Sequence, residues 1–302
     1  MMENNNKKGF GVWWQLLRPH TLTAGFVPVL IGTMYARLDH PLDWGLFLAM
    51  MFAALLIQAA TNMFNEYYDW KRGLDHAESV GIGGAIVRHG VNPATIMKIA
   101  FTFYGVAFLL GIYICANTSW WILVIGAVAM LFGYLYTGGP YPIAYSPFGE
   151  VVAGTFMGYV IIAISYYLQA GEMTLDVLWI SIAPSILIAN ILTANNIRDL
   201  DNDKHAGRKT FSILLGKKVS IAVLAILYGV VFVWLLMMPL LSITPFWTAI
   251  AFGALPKAIQ AIEGLSRGAT PSEMMPGMIA AAKTNTIFGL LFAIGLLLSV
   301  LF

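Results

Sequence analysis

Two acidic stretches carry the side chains best suited to chemistry. The first is TNMFNEYYDWKRGLD, 61–75, in which Asn65 and Asp69 stand at i and i+4. The second is NNIRDLDND, 195–203, in which Asp199 and Asp203 repeat that spacing. Residues four apart share one face of a helix, and two like charges so placed repel by about 0.2–0.5 kcal/mol. A divalent cation removes that repulsion. Oxygen donors that leave room for water and phosphate oxygens describe a Mg²⁺ site. Asn65, Asp69, Asp75, Asp199 and Asp203 are therefore the candidate metal ligands, with Asp69, Asp199 and Asp203 the candidate catalytic acids. Asp75 lies off the face of Asp69 on an unbroken helix, but Gly73 permits a break that turns it back. Glu66 faces elsewhere and stays outside the metal shell.

Cations accompany both clusters. Lys71, Arg72 and Arg88 follow the first; Arg198, Arg208 and Lys209 surround the second. Carboxylates, a divalent metal and guanidinium forks together make a cradle for a diphosphate. Arg72, Arg88, Arg198 and Lys209 are the candidate diphosphate contacts. Lys204, Lys217 and Lys218 read as positive charge flanking a membrane. The segment GIGGAIVRHG, 81–90, could bring backbone N–H groups to an anion, but it is no Walker loop or dinucleotide fingerprint, and no strand precedes it.

The elements that must hold these residues are membrane helices. Of 302 residues, 59% are hydrophobic and 11% charged, with a mean hydropathy of +0.76; soluble domains carry about 25% charged residues. Spanning about 30 Å of hydrocarbon takes roughly 20 apolar residues, and backbone polar groups in lipid must be paired internally. Nine stretches qualify: 21–37, 44–64, 95–115, 119–136, 149–168, 176–195, 218–238, 244–262 and 278–301. The expected fold is all-α and integral to the membrane, a single domain over 1–302. A segment 1–17 precedes the first span, and the acidic motifs fall in loops 62–93 and 195–217. The motifs follow the second and sixth spans, which suggests two related four-helix halves plus a ninth helix.

Of the 17 Lys and Arg residues, only Arg37 falls on the side opposite the N-terminus. The positive-inside bias then puts the N-terminus and the polar loops in the cytoplasm and the C-terminus outside. Trp44, Trp120, Trp121, Trp179 and Trp247 form an interfacial belt on the outer face. The polar start, MMENNNKKGF, shows no cleavable signal peptide. Cys115 is the only cysteine, which excludes a disulfide framework and a cysteine metal site and leaves it a packing role. No nucleic-acid partner is expected.

RPHTL (18–22), FNEYYDWKRGLD (64–75), VGIGGAIVRHG (80–90), YTGGPYPIAYSPFGE (136–150) and NNIRDLDNDKHAGRKT (195–210) together resemble the UbiA superfamily of intramembrane prenyltransferases. Within it they resemble the branch that prenylates 1,4-dihydroxy-2-naphthoate for menaquinone synthesis, from about Trp14 to Leu301. The broad superfamily spaces its first-motif aspartates four apart. Here that place is Gly73 and the next acid is Asp75, as in the naphthoate branch.

The resemblance implies a nine-helix fold in the cell membrane and Mg²⁺ as cofactor. It implies a polyprenyl diphosphate and 1,4-dihydroxy-2-naphthoate as substrates, and demethylmenaquinone, CO₂ and diphosphate as products. A carbocation formed on the way must be kept from water, and aromatic faces can stabilise it. Tyr67, Tyr141 and Tyr145 are candidates, with Tyr68, Tyr134 and Tyr136 nearby. Arg18 is a candidate grip for the naphthoate carboxylate or the diphosphate. Asn62 and Asn196 could coordinate metal or hydrogen-bond the carboxylates. Glu150 needs a partner at that depth, either a loop cation or the acceptor pocket. The tail needs an apolar groove open to lipid.

Two rivals follow from the same residues. One is a prenyltransferase of this fold with 4-hydroxybenzoate, homogentisate or haem as acceptor. The other is an ion-coupled transporter, a class that also uses related halves. A transporter would hold its acids near the bilayer midplane, whereas the central thirds of these spans carry none.

Overall fold

The computed structural model describes residues 9–75 and 83–302, and the regular elements among these are all helices. In order they are α1 (Phe10–Leu17), α2 (Pro19–Ala36), α3 (Trp44–Lys71), α4 (Ala85–His89), α5 (Pro93–Asn117) and α6 (Trp121–Leu135). Then come α7 (Gly149–Ala153), a π-helical segment (Gly154–Val160) and α8 (Ile161–Ala170), which form one continuous run. The rest are α9 (Leu175–Arg198), α10 (Leu200–His205), α11 (Phe211–Leu215), α12 (Lys217–Leu240), a 3₁₀ segment (Phe246–Ala254), α13 (Leu255–Arg267) and α14 (Pro271–Leu301).

Six of these are long and apolar enough to cross a membrane: α3, α5, the Gly149–Ala170 run, α9, α12 and α14. Two more, Thr21–Ala36 and Trp121–Leu135, are apolar but shorter. The chain is a multi-pass membrane protein. The span expected at 244–262 departs most from a plain helix. Pro256 lacks the N–H that an unbroken α-helix needs there, so a 3₁₀ segment runs to Ala254 and α13 starts with the proline in its first turn. Helix α13 buries Ala258, Ala261 and Leu265 and turns Gln260, Glu263 and Arg267 outward. It runs on to Arg267, so only residues 268–270 separate it from α14.

Helix starts follow local signals. Asp43 accepts from the Leu46 N–H at 2.9 Å ahead of α3. Thr270 and Glu273 form a capping box ahead of α14, satisfying donors that a first turn leaves open. Small residues let the helices approach. A Cβ on Gly32 would lie 2.3 Å from the Ile162 carbonyl, where α2 crosses α8. Gly264 and Gly277 meet in the same way between α13 and α14. The π segment packs Gly154 and Gly158 against Ser185 of α9; such local widening is frequent at functional sites.

The acidic motifs are helix ends rather than the loops expected at 62–93 and 195–217. Helix α3 carries the first through Asp69 to Lys71, and α9 and α10 carry the second. Of the expected 1–17 segment, Phe10–Leu17 is helix α1, and residues 1–8 lie outside the described residues. In the glycine-rich segment 81–90, Gly81 and Ile82 also lie outside them.

Candidate active site

At the ends of α3 and α9 the two motifs meet through one residue. The Arg208 guanidinium donates to Asp69 Oδ1 at 2.8 Å and to Asp203 Oδ1 at 3.0 Å. It reaches them because Gly207 adopts φ +78° after α10 and reverses the chain, a conformation that glycine takes without strain. The same turn is tied down by Lys209 N–H donating to the Tyr145 carbonyl at 2.9 Å. Burial would lower the pKa of Arg208, but Asp69 and Asp203 outweigh it and raise it, so the guanidinium stays charged.

Gly73, at φ +73°, breaks the chain after α3. The N–H groups of Leu74 and Asp75 then return to the Asp69 carbonyl at 2.9 and 3.4 Å. That turn brings Asp75 beside Asp69 on the wall of a cavity of about 400 Å³. Asn65, Asp69, Asp75, Asp199 and Asp203 all line this cavity, together with Arg18, Asn62, Asn196, Arg198 and Arg208. The rest of its wall is mostly apolar and reaches Met50, Cys115 and Ile122 at the other end.

Several side chains have local partners. Asn65 Oδ1 accepts from Thr137 Oγ1 at 2.8 Å. Asn62 donates to the Leu17 carbonyl at 2.9 Å and to Thr21 Oγ1 at 3.0 Å. This fastens the α1–α2 junction to α3, while Asn62 also lines the cavity. The junction is Arg18 itself, at φ +50°. A non-glycine residue there is strained, and the strain aims Arg18 into the cavity, 3.7 Å from Glu66 Oε2. Glu66 is buried and accepts from the N–H groups of Gly84 (2.8 and 2.9 Å) and Ile86 (3.2 Å). It is the anchor of the 83–86 segment. A Cβ on Gly83 would lie 2.4 Å from Glu66 Oε2 and 2.7 Å from Arg18 Nη2, so a side chain there displaces the end of one or both.

Arg198 is buried, with Nε donating to Asp199 Oδ1 at 2.7 Å, Nη2 to Asp199 Oδ2, and Nη2 to Asn195 Oδ1 at 2.8 Å. Asn196 donates to Glu150 Oε1 at 2.8 Å. Glu150 thus finds an amide rather than a loop cation, and its Oε2 is buried without a partner among the described residues.

The remaining candidates lie around the rim. Arg72 donates to the carbonyls of Thr137 and Gly139, the latter at 2.8 Å, and stacks on Tyr68 and Tyr145. Arg208 lies over the same Tyr145 ring, 5.1 Å from its centroid. Tyr67 packs on Tyr68 and Trp70. Tyr141 is 91% exposed, too open to shield a cation from water. Arg88 and Lys209 are exposed. None of Tyr67, Arg72, Arg88, Tyr141, Tyr145, Glu150 or Lys209 lines the described cavity; Arg208 and Tyr136 do. Arg208 was legible only as one cation among several; its five-residue step from Asp203 through Gly207 was the signal.

The donors suit a hard divalent cation. All are oxygens, and Asp203 Oδ2 is buried without a partner among the described residues. Burial, opposed chiefly by Arg208, pushes Asp203 up to about 6. Burial and then Asp69 push Asp75 up to about 6 as well. Among the described residues no three acidic, imidazole or thiol groups converge tightly enough to hold an ion by themselves. Arg208 lies between Asp69 and Asp203, and Asp199 faces Arg198. Mg²⁺ needs no such cage, since it keeps waters and binds through one or two carboxylates plus substrate phosphates.

A helical membrane bundle with acids and arginines at one end of an apolar cavity defines a class of protein that handles a lipid with an anionic head. The chain belongs to the UbiA prenyltransferase family, whose model matches residues 25–274. It is 51% identical to 1,4-dihydroxy-2-naphthoate octaprenyltransferase of Bacillus subtilis, over 95% of this chain and 93% of that protein. It is 28% identical to the protein of the same name from Mycobacterium tuberculosis, over 88% and 90% of the two chains. In fold it matches a UbiA homologue from Archaeoglobus fulgidus bound to DMAPP and Mg²⁺, with a TM-score of 0.64 and 15% identity, covering 93% of this chain and 99% of that one.

Proposed function

We propose that the protein transfers a polyprenyl group from a polyprenyl diphosphate to 1,4-dihydroxy-2-naphthoate. CO₂ and diphosphate are released and the reduced form of demethylmenaquinone, demethylmenaquinol, is formed; its oxidation to the quinone is a separate step. The observation that carries this reading is the 51% identity to a dihydroxynaphthoate octaprenyltransferase along nearly the whole chain. The cavity supports it, with its charged end at Asp69, Asp203 and Arg208 and its apolar remainder.

The diphosphate head lies at the charged end and the tail in the apolar part. Bound Mg²⁺ would neutralise phosphate oxygens and improve the leaving group, held by Asp69, Asp75, Asp199 and Asp203 with Asn65. Arg208 and Arg18 meet the charge that grows on the diphosphate as the allylic C–O bond breaks, which is electrostatic stabilisation of the transition state. The apolar walls exclude water from the allylic cation. The electron-rich ring carbon that bears the carboxylate bonds to that cation. Loss of CO₂ returns its electron pair to the ring and restores aromaticity, so no strong protein base is required. Tyr136 lines the cavity next to the acids and is the aromatic face best placed beside the cation. Arg72, with its two carbonyl partners and Tyr145, holds the 137–145 turn over the site.

In the membrane this reading takes nine crossings, with α2, α6 and the 3₁₀–α13 pair completing the six long helices, in one domain of two related halves plus α14. The charged end faces the cytoplasm, from the Lys and Arg bias, and the membrane is the cell membrane.

Purified protein given dihydroxynaphthoate and a polyprenyl diphosphate should yield, by mass spectrometry, the decarboxylated prenyl adduct. Turnover with 4-hydroxybenzoate or homogentisate, and none with dihydroxynaphthoate, would reject the acceptor assignment.

A further inference from the structure

In the apolar part of the cavity, Gly111 and Gly126 lie on the neighbouring helices α5 and α6. Along α3 the wall runs from Asp69 to Met50, about 28 Å at 1.5 Å per residue. The volume of about 400 Å³ is near the low end of the range of about 300–1,000 Å³ for pockets that bury a drug-sized ligand. A tail of eight isoprene units, as the name of the Bacillus subtilis relative states, is larger than such ligands, so part of it must leave the cavity. Besides Asn202 at the charged end, two lining residues are exposed: Phe108 of α5, 43% exposed, and Ala127 of α6. Both lie on the adjacent helices α5 and α6, in the apolar part of the lining.

Gly111 and Gly126 line the same stretch. Gly111 lies six residues before the end of α5 and Gly126 five after the start of α6, which puts both roughly 8–9 Å from the connecting turn. A Cβ on either would meet no atom within 4 Å. Glycine inside a helix costs about 0.5–1 kcal/mol relative to alanine, and no close packing at these two positions requires it. Gly133 of α6 differs. It also lines the cavity, but its Cβ would lie 2.7 Å from the Tyr104 hydroxyl and 2.9 Å from Thr61 Oγ1, so it serves helix packing.

We propose that Gly111 and Gly126 determine the range of polyprenyl chain length, by keeping open the slot between α5 and α6 through which a long tail passes from the cavity to the lipid. The inference rests on the polyprenyl-donor reading above. Side chains at these positions narrow the slot. A short tail ends before it, and a long tail must thread it.

The test compares geranyl diphosphate with octaprenyl diphosphate as donors to dihydroxynaphthoate, in wild type, Gly126→Leu, Gly111→Leu and the milder Gly126→Ala. Gly105→Leu is the control, because Gly105 is exposed on α5, outside the cavity lining, and also free of neighbours. The readout is the ratio of kcat/KM for the long donor to that for the short one. The ratio falls on the order of tenfold in Gly126→Leu and Gly111→Leu, in line with the discrimination of about 10–200-fold that one methylene gives in an apolar pocket. It falls less in Gly126→Ala and stays put in Gly105→Leu. An unchanged ratio in both leucine variants, or equal loss with both donors, overturns the slot. Wild-type protein that uses neither donor overturns the polyprenyl reading and the slot with it.

Discussion

Arg208 holds the two aspartate motifs together with hydrogen bonds of 2.8 and 3.0 Å. Buried carboxylates left without a cation are costly, so removing Arg208 leaves Asp69 and Asp203 repelling each other. Asp69→Ala, Asp199→Ala and Asp203→Ala should each cut kcat/KM by about 10²–10³-fold or more, the range for losing one electrostatic contact to the transition state. Membrane insertion should persist, as read by monodisperse elution in detergent. A variant with wild-type product yield would remove that aspartate from the site. The acids also set a pH dependence. Asp75 and Asp203 have pKa values raised to about 6, so they hold protons that a metal must displace below that pH. Apparent Mg²⁺ affinity should therefore weaken as pH falls from 7 to 5, measurable by calorimetry. The sign for folding is opposite. The folded metal-free state binds these protons more tightly than the unfolded chain, with its carboxylates near 3.8, so its stability falls as pH rises from about 4 through 6.

Helix ends and junctions do the positioning. Asn62 ties the α1–α2 junction to α3, and Glu66 ties the 83–86 segment to the same helix one turn further on. Glu66→Ala leaves the N–H groups of Gly84 and Ile86 buried without acceptors, a loss of about 1–3 kcal/mol for each such group. Faster amide exchange at Gly84–Ile86, with exchange in α9 unchanged, is the expected signature; unaltered exchange would give the anchoring to other residues. Gly32→Val drives a branched side chain into the Ile162 carbonyl and forces α2 from α8. Overpacking of this kind costs about 1–3 kcal/mol, read as a lower thermal midpoint in detergent.

For the whole molecule, the placement of charge separates catalysis from transport. The acids gather at the helix ends and the long cavity behind them is mainly apolar, an arrangement that suits an anionic head with a lipid tail. Activity should vanish in EDTA and return with Mg²⁺, and it should do so in detergent without any sealed vesicle. Persistence of turnover in chelator would exclude the metal site. Diphosphate release from solubilised protein separates an enzyme from a pure transporter.

The sequence alone determined that the chain is helical and embedded in a membrane, because long apolar runs have no other way to satisfy their backbone in lipid. The i, i+4 acids and amides, the break at Gly73 and the family motifs were legible for the same local reason: spacing on a helix fixes the face. Tertiary structure decided which long-range partner each polar group takes. Arg208 between the motifs, Asn62 on the α1–α2 junction, Asn196 on Glu150 and Arg72 on the 137–139 carbonyls join residues up to 139 positions apart. No local pattern encodes such pairs. The restart at Pro256 and the open space beside Gly111 and Gly126 likewise arise only once helices pack, because proline allows several breaks and glycine several neighbours until the fold chooses one.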